Sequence, residues 1–171
     1  MSGAGPTIVI HPYDSSWPAQ FARAEAMIRA ALGTRAAAVH HVGSTSVPGL
    51  SAKPVVDIVL AVPDSADEPA YVPRLTEAGY AIHLREPHWF EHRLMKGTTP
   101  AVNLHVFTQG CSEIDRMLLF RDRLRTHDWD RVLYARTKHK LAKLPWRTVQ
   151  DYADAKSEVV RTILANAAPA T

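Results

Sequence analysis

Between Pro54 and Val62 the chain is apolar except at one position, Asp57. A run of that length and composition reads as a central strand buried on both faces. A carboxylate inside such a strand is expensive unless something meets it, because an isolated charge in a low-dielectric core protonates or destabilises the fold. Positions 55, 57, 59 and 61 share one face of the strand, so Asp57 looks out between Val55 and Val59. Two readings follow from the residues. Asp57 handles a metal or a phosphate near a sheet end, or it sits in a buried ion pair with Lys53 or an arginine.

The segment before it bears on that choice. His41-Val42-Gly43-Ser44-Thr45-Ser46 sets a glycine, where backbone can approach a ligand closely, beside three hydroxyls and a run of backbone N–H groups. Phosphate oxygens are held by groups of this kind. The loop is not a P-loop, since Leu50 and not a lysine follows Gly49, and it contains no G-x-S-x-G nucleophile turn.

Around these two features the spacing predicts a mixture of strands and helices. Residues 1–6 read as a flexible end and Thr7 to His11 as an edge strand. A helix capped by Asp14-Ser15-Ser16, with Pro18 in its first turn, carries Phe21, Ala24, Ile28 and Leu32 at helical spacing until Gly33. Ala36 to Val42 reads as a strand. A helix over 67–78 is weakened by Pro69 and Pro73, and Tyr80 to Leu84 returns as a strand. Trp89 to Met95 and Ala101 to Phe107 read as a hairpin. Beyond Gly110 the pattern is helical: a segment from Ser112, then about 129–144 and 148–165. The expected class is α+β, a small mixed β-sheet flanked by helices with a helical C-terminal third, in one domain over residues 1–171.

Composition narrows the function classes. Twenty Lys+Arg against 17 Asp+Glu give a net charge of +3, which permits an anionic ligand but does not by itself call for nucleic acid. No apolar run is long enough to span a membrane, and the first residues lack the pattern of a signal peptide, so a soluble cytoplasmic protein is expected. A single cysteine, Cys111, excludes an intrachain disulfide framework and any multi-cysteine zinc site.

Taken together, Gly43-Ser44 and, further on, Val56-Asp57-Ile58-Val59 resemble the signature of the polymerase-β-type nucleotidyltransferase superfamily. Within it, His41 to Leu50 with Ala52-Lys53-Pro54-Val55-Val56-Asp57-Ile58 looks like the GrpB-like family. Glu91-His92-Arg93, Asn103-Leu104-His105-Val106, Leu119 to Arg125, and Tyr152 with Lys156 fall in that family's order. The resemblance implies a minimal nucleotidyltransferase fold, with the Gly-Ser turn and the acidic strand forming one side of a nucleotide pocket. Active superfamily members carry D-x-D on that strand and a third carboxylate on a neighbour, which together hold two divalent ions. Here position 59 is Val, and His105 stands where a third ligand would be sought.

The resemblance thus implies binding of a nucleoside triphosphate or another phosphorylated small molecule, with transfer of a nucleotidyl or phosphoryl group to a small acceptor if the protein is an enzyme. Gly43, Ser44, Thr45, Lys53 and His105 are the expected nucleotide-binding residues. Asp57, Ser44, Lys53 and Arg93 are the expected catalytic set, with Ser44 orienting phosphate and Lys53 and Arg93 offsetting charge. One Mg²⁺ or Mn²⁺ would be held by Asp57 with Glu91, or with His41 and His105. Val59 favours an alternative, a catalytically silent binding module. A third reading is a metal-dependent hydrolase using His41, His92 and His105. The basic residues Arg121, Arg123, Arg125, Lys138, Lys140 and Lys143 read as a solvated helical face, and Trp129, Trp146 and Tyr152 as packing residues. The acceptor and the oligomeric state are left open by the residues.

Overall fold

Alternation along five strands builds one mixed sheet. The computed structural model describes residues 5–168, so residues 1–4 of the expected flexible end lie outside it. Gly5, by contrast, is packed so closely on Trp146 that a Cβ there would fall 1.9 Å from its carbonyl oxygen. The strands are β1 (Ala38–Val42), β2 (Val56–Val62), β3 (Ala81–Glu86), β4 (His92–Thr98) and β5 (Ala101–Thr108). Their order is β1-β2-β5-β4-β3, and only β2 and β5 run parallel. Six helices accompany them: α1 (Trp17–Leu32), α2 (Val72–Glu77), α3 (Ser112–Thr126), α4 (Asp128–Ala142), α5 (Val149–Ala155) and α6 (Ser157–Ala167). The α+β class with a mixed sheet, flanking helices and a helical C-terminal third is therefore as the sequence implies. No helix among the described residues is long and apolar enough to cross a membrane.

The two sheet faces differ in chemistry. Val56, Ile58, Leu60 and Val62 of β2 join Leu104 and Val106 of β5 and Met95 of β4 under Ala24, Ile28 and Leu32 of α1 and Leu75 of α2, and together they form the main core. Val59, Ala61, Val42 and Phe107 point the other way and pack on Ile114 of α3. Asp57, Asn103 and His105 lie on this second face. A further apolar cluster of Leu124, Tyr134, Val159 and Ile163 joins α3, α4 and α6 and closes on Val47 and Leu50, so the C-terminal helices are fastened to the loop after β1.

Several elements depart from the pattern in the sequence. Thr7 to His11 is not a strand: only His11 pairs, with Ala52, in an isolated bridge, and Pro12 behind it has no N–H to extend a ladder. Pro69 falls in a short 3₁₀ turn and Pro73 in the first turn of α2, where a missing N–H is tolerated, so that helix is only six residues long. Trp89 to Glu91 form a turn with positive φ at Phe90 (55°) and Glu91 (49°), which delays β4 to His92. The last helix divides at Lys156 into α5 and α6. A reciprocal box, Thr148 Oγ1 accepting from Asp151 N–H and Asp151 Oδ2 accepting from Thr148 N–H, starts α5.

Candidate functional site

The site is built on the turn from β1 into the loop before β2. Val42 pairs with Asp57, so the residue after the strand must pass directly beside the carboxylate. Gly43 does so at φ +69°, and a Cβ there would stand 2.6 Å from Asp57 Oδ2. Both the left-handed backbone and the missing side chain are needed. Ser44–Ser46 then form one 3₁₀ turn. Arg125 Nε donates to Ser46 O (2.8 Å) and Arg121 Nη1 to His41 O (3.1 Å), which fixes the loop from its far side.

Opposite this turn stand α4 and α5. Between them opens a small cleft of about 60 Å³, walled by Ser44, Thr45, Asp57, Asn103, Tyr152 and three lysines, Lys53, Lys138 and Lys156. Lys138 is 2% exposed; its Nζ donates to Ser44 Oγ (2.8 Å) and to the carbonyl of Ser51. Its ammonium lies 4.9 Å from the centre of the Tyr134 ring, four residues earlier, and that of Lys156 lies 4.7 Å from Tyr152, again four earlier. Burial and then the neighbouring Lys156 bring Lys138 down to about 7, against the pull of Asp57. Burial also lowers Lys156, with Asp57 opposing and Lys53 adding to the fall. For Asp57 burial acts upward, but the hydrogen bond and charge of His105, the Asn103 amide and Lys156 outweigh it and hold the carboxyl below its ordinary range. The cleft is thus a partly enclosed space with three amines and one carboxylate.

A chain of side chains crosses the sheet to reach Asp57. Glu86 of β3 accepts from His92 Nδ1 (2.7 Å), His92 Nε2 meets His105 Nδ1 (3.1 Å), and His105 Nε2 lies 3.5 Å from Asp57 Oδ1. Asn103 Nδ2 donates to the same Asp57 oxygen at 3.2 Å. Four groups joined by three contacts need three protons, and two neutral imidazoles bring two. Burial lowers the His92 pKa, the charge of His105 lowers it further, and Glu86 acts against both. With His92 neutral and donating to Glu86, its Nε2 accepts from His105 Nδ1–H. The longest spacing of the three is that between His105 and Asp57.

A family model described as GrpB protein matches residues 7–166. The chain belongs to the GrpB family. A GrpB-family relative, a UPF0157 protein of Halalkalibacterium halodurans, is 56% identical over 94% of this chain and 83% of its own length. Another from Streptomyces coelicolor is 43% identical over 95% and 86%. The solved structure of the conserved protein GrpB from Enterococcus faecalis superposes with a TM-score of 0.81 at 25% identity, covering 93% of this chain and 96% of that one. The Cid1 poly(U) polymerase superposes at 0.55 with 13% identity over 77% of this chain and 44% of that one, a likeness of fold.

In this GrpB chain the expected site residues separate into two groups. Ser44, Thr45, Lys53 and Asp57 line the cleft, Gly43 passes close beside Asp57, and His105 touches Asp57. Arg93, Glu91 and His41 are not brought there. Arg93 pairs with Val106 and shares the face of Leu60, opposite to Asp57, where its guanidinium is held by Glu68 and Glu91. Glu91 lies at the far end of the sheet, its carbonyl accepting from Ser65 beyond the end of β2. His41 shares the face of Ile58, stacked on Phe21 at 4.8 Å and bonded to Thr45 Oγ1 at 2.9 Å. Burial and then Arg125 bring it down to about 4, with Asp57 opposing and Arg121 adding to the fall. The sets Asp57–Glu91–His41 and His41–His92–His105 are therefore divided between sheet faces or ends. Among the described residues no three His, Cys, Asp or Glu side chains gather as a metal group.

Sequence reading also missed residues. Lys138, taken for a solvated face, and Tyr152, taken for packing, are cleft walls, whereas Trp129, taken for packing, is 80% exposed. The available signal was the repeated Tyr-x-x-x-Lys spacing, Tyr134–Lys138 and Tyr152–Lys156. Glu86 gave none, since only strand pairing carries it to His92.

Proposed function

We propose that the protein binds a phosphorylated small molecule, with a nucleoside triphosphate the leading candidate, in the cleft between the Gly43-Ser44 turn and helices α4 and α5. The observation that carries this reading is the charge balance of the cleft, three amines against one carboxylate beside a hydroxyl-bearing turn. An anion entering there relieves the mutual repulsion of Lys138 and Lys156 and takes charge-assisted hydrogen bonds from both. Lys53 and Lys156 flank the Tyr152 ring, at 5.9 and 4.7 Å from its centre, and complete a cationic rim.

A second reading, transfer of a nucleotidyl or phosphoryl group to a small hydroxyl acceptor, is favoured by the Glu86–His92–His105–Asp57 chain, which could accept the hydroxyl proton at its cleft end. Val59 favours binding without transfer, because the position of a second carboxylate is filled by a residue of 0% exposure in an apolar cluster.

Thermal unfolding with each nucleoside triphosphate and with pyrophosphate tests the first reading. Stabilisation of about 2.7 kcal/mol at a hundredfold excess over Kd is expected, and it should be lost in Lys156→Met. No stabilisation by any phosphorylated compound refutes it. Pyrophosphate release that disappears in Asp57→Asn would establish transfer.

A further inference from the structure

The superfamily fold implies two divalent ions beside the acidic strand, and the donors of this chain do not fit them. Asp57 is the one carboxylate lining the cleft among the described residues. Its Oδ1 is taken by Asn103 and His105, and its Oδ2 lies beside the Gly43 backbone in a side chain that is 31% exposed. Val59 replaces the second carboxylate and is sealed among Val42, Ala61, Phe107 and Ile114. The neighbouring strand offers Asn103, whose amide is spent on Asp57, and His105. Oxygen-rich coordination of a hard cation is absent from this donor set.

What the cleft holds instead is three lysine amines. Lys138 spends two donors on Ser44 and Ser51 and keeps a third. Among the described residues the ammonium groups of Lys53 and Lys156 make no hydrogen bond, although both face Tyr152. The Tyr152 hydroxyl is itself buried without a partner in a residue 1% exposed, at the wall of the same cleft. A buried hydroxyl left unpaired is costly. Two lysine ammonium groups without hydrogen bonds and a third with one donor to spare converge on the cleft beside Asp57.

We propose that this cleft binds a polyphosphate without a divalent cation, Lys53, Lys138 and Lys156 supplying the countercharge that metal ions supply elsewhere in the superfamily. The proposal rests on the phosphorylated-ligand reading above and specifies how the phosphates are held. Because Mg²⁺ neutralises free polyphosphate, it should compete with the lysines and not assist them.

Calorimetry with inorganic triphosphate on the full chain, once in EDTA and once in excess Mg²⁺, decides the matter. Binding in EDTA at least as tight as in Mg²⁺ is expected. Binding that appears only with Mg²⁺ overturns this proposal and leaves the phosphorylated-ligand reading standing. No binding in either buffer overturns both. Lys53→Met, which removes no hydrogen bond of the fold, should weaken triphosphate in EDTA by about tenfold; an unchanged affinity also overturns the proposal.

Discussion

The two faces of strands β2 and β5 are made from alternate residues of the same two segments, yet they follow different rules. On one face Ile58, Leu60, Leu104 and Val106 are all at 0% exposure and meet only apolar neighbours. On the other, the sheet is apolar at Val59, Ala61 and Phe107 but polar at Asp57, Asn103 and His105. Along β2 and β5 the first face carries no charge because helices α1 and α2 seal it, and Arg93 of the neighbouring β4 is buried on that face only in company with Glu68 and Glu91. The second tolerates Asp57 because the strand begins there, the cleft reaches it, and an amide, an imidazole and lysines surround it. A two-residue step from Asp57 to Val59 separates a position that can hold a carboxylate from one that cannot.

The sharpest way to break this comparison is to place a carboxylate at position 59. Val59→Asp should lower stability by more than about 4 kcal/mol in urea unfolding, since it buries an unpaired charge among aliphatic groups. A stable variant that acquires Mg²⁺ affinity would show that the two positions are equivalent after all.

His41 tests the sealed face by pH. Its folded pKa of about 4 lies below the ordinary value of 6.5, so between these limits the unfolded chain binds a proton that the folded chain does not. Stability from this group is therefore complete above pH 6.5 and falls as pH drops toward 4, by an amount on the order of a few kcal/mol. In His41→Gln that slope should flatten in equilibrium unfolding followed from pH 7 to 4; an unaltered slope would place the acid sensitivity elsewhere.

The smallest effect is expected at the cleft. Tyr152→Phe removes the orphaned hydroxyl and keeps the ring, so the stability of the ligand-free protein should stay the same or rise by up to about 1 kcal/mol, while triphosphate affinity falls. A clear loss of stability in the ligand-free variant would mean that the hydroxyl has a structural partner.

Local pattern alone made much of the fold legible. The apolar run holding Asp57 is a strand, Gly33 and Gly43 stand where elements end, and the helical C-terminal third is in place. Elements whose fate depends on partners were misread. Thr7 to His11 has strand-forming residues, yet only His11 finds a partner; the Glu91-His92-Arg93 run lost its first residue to a turn and its third to the opposite face. At the site, motif residues contiguous with Gly43 and Asp57 were found, because backbone pairing of Val42 with Asp57 forces them together.

The sequence by itself determined the α+β class, the glycine before the Ser44 turn and the lone carboxylate, Asp57, in an apolar strand, since periodicity and residue identity are local properties. Only the tertiary structure decided that Lys138 and Lys156 face Asp57, that His92 and His105 link it to Glu86, and that Arg93 and His41 do not reach it. These facts depend on which strands pair and where three helices dock, and a side chain one residue out of step points to the other side of the sheet.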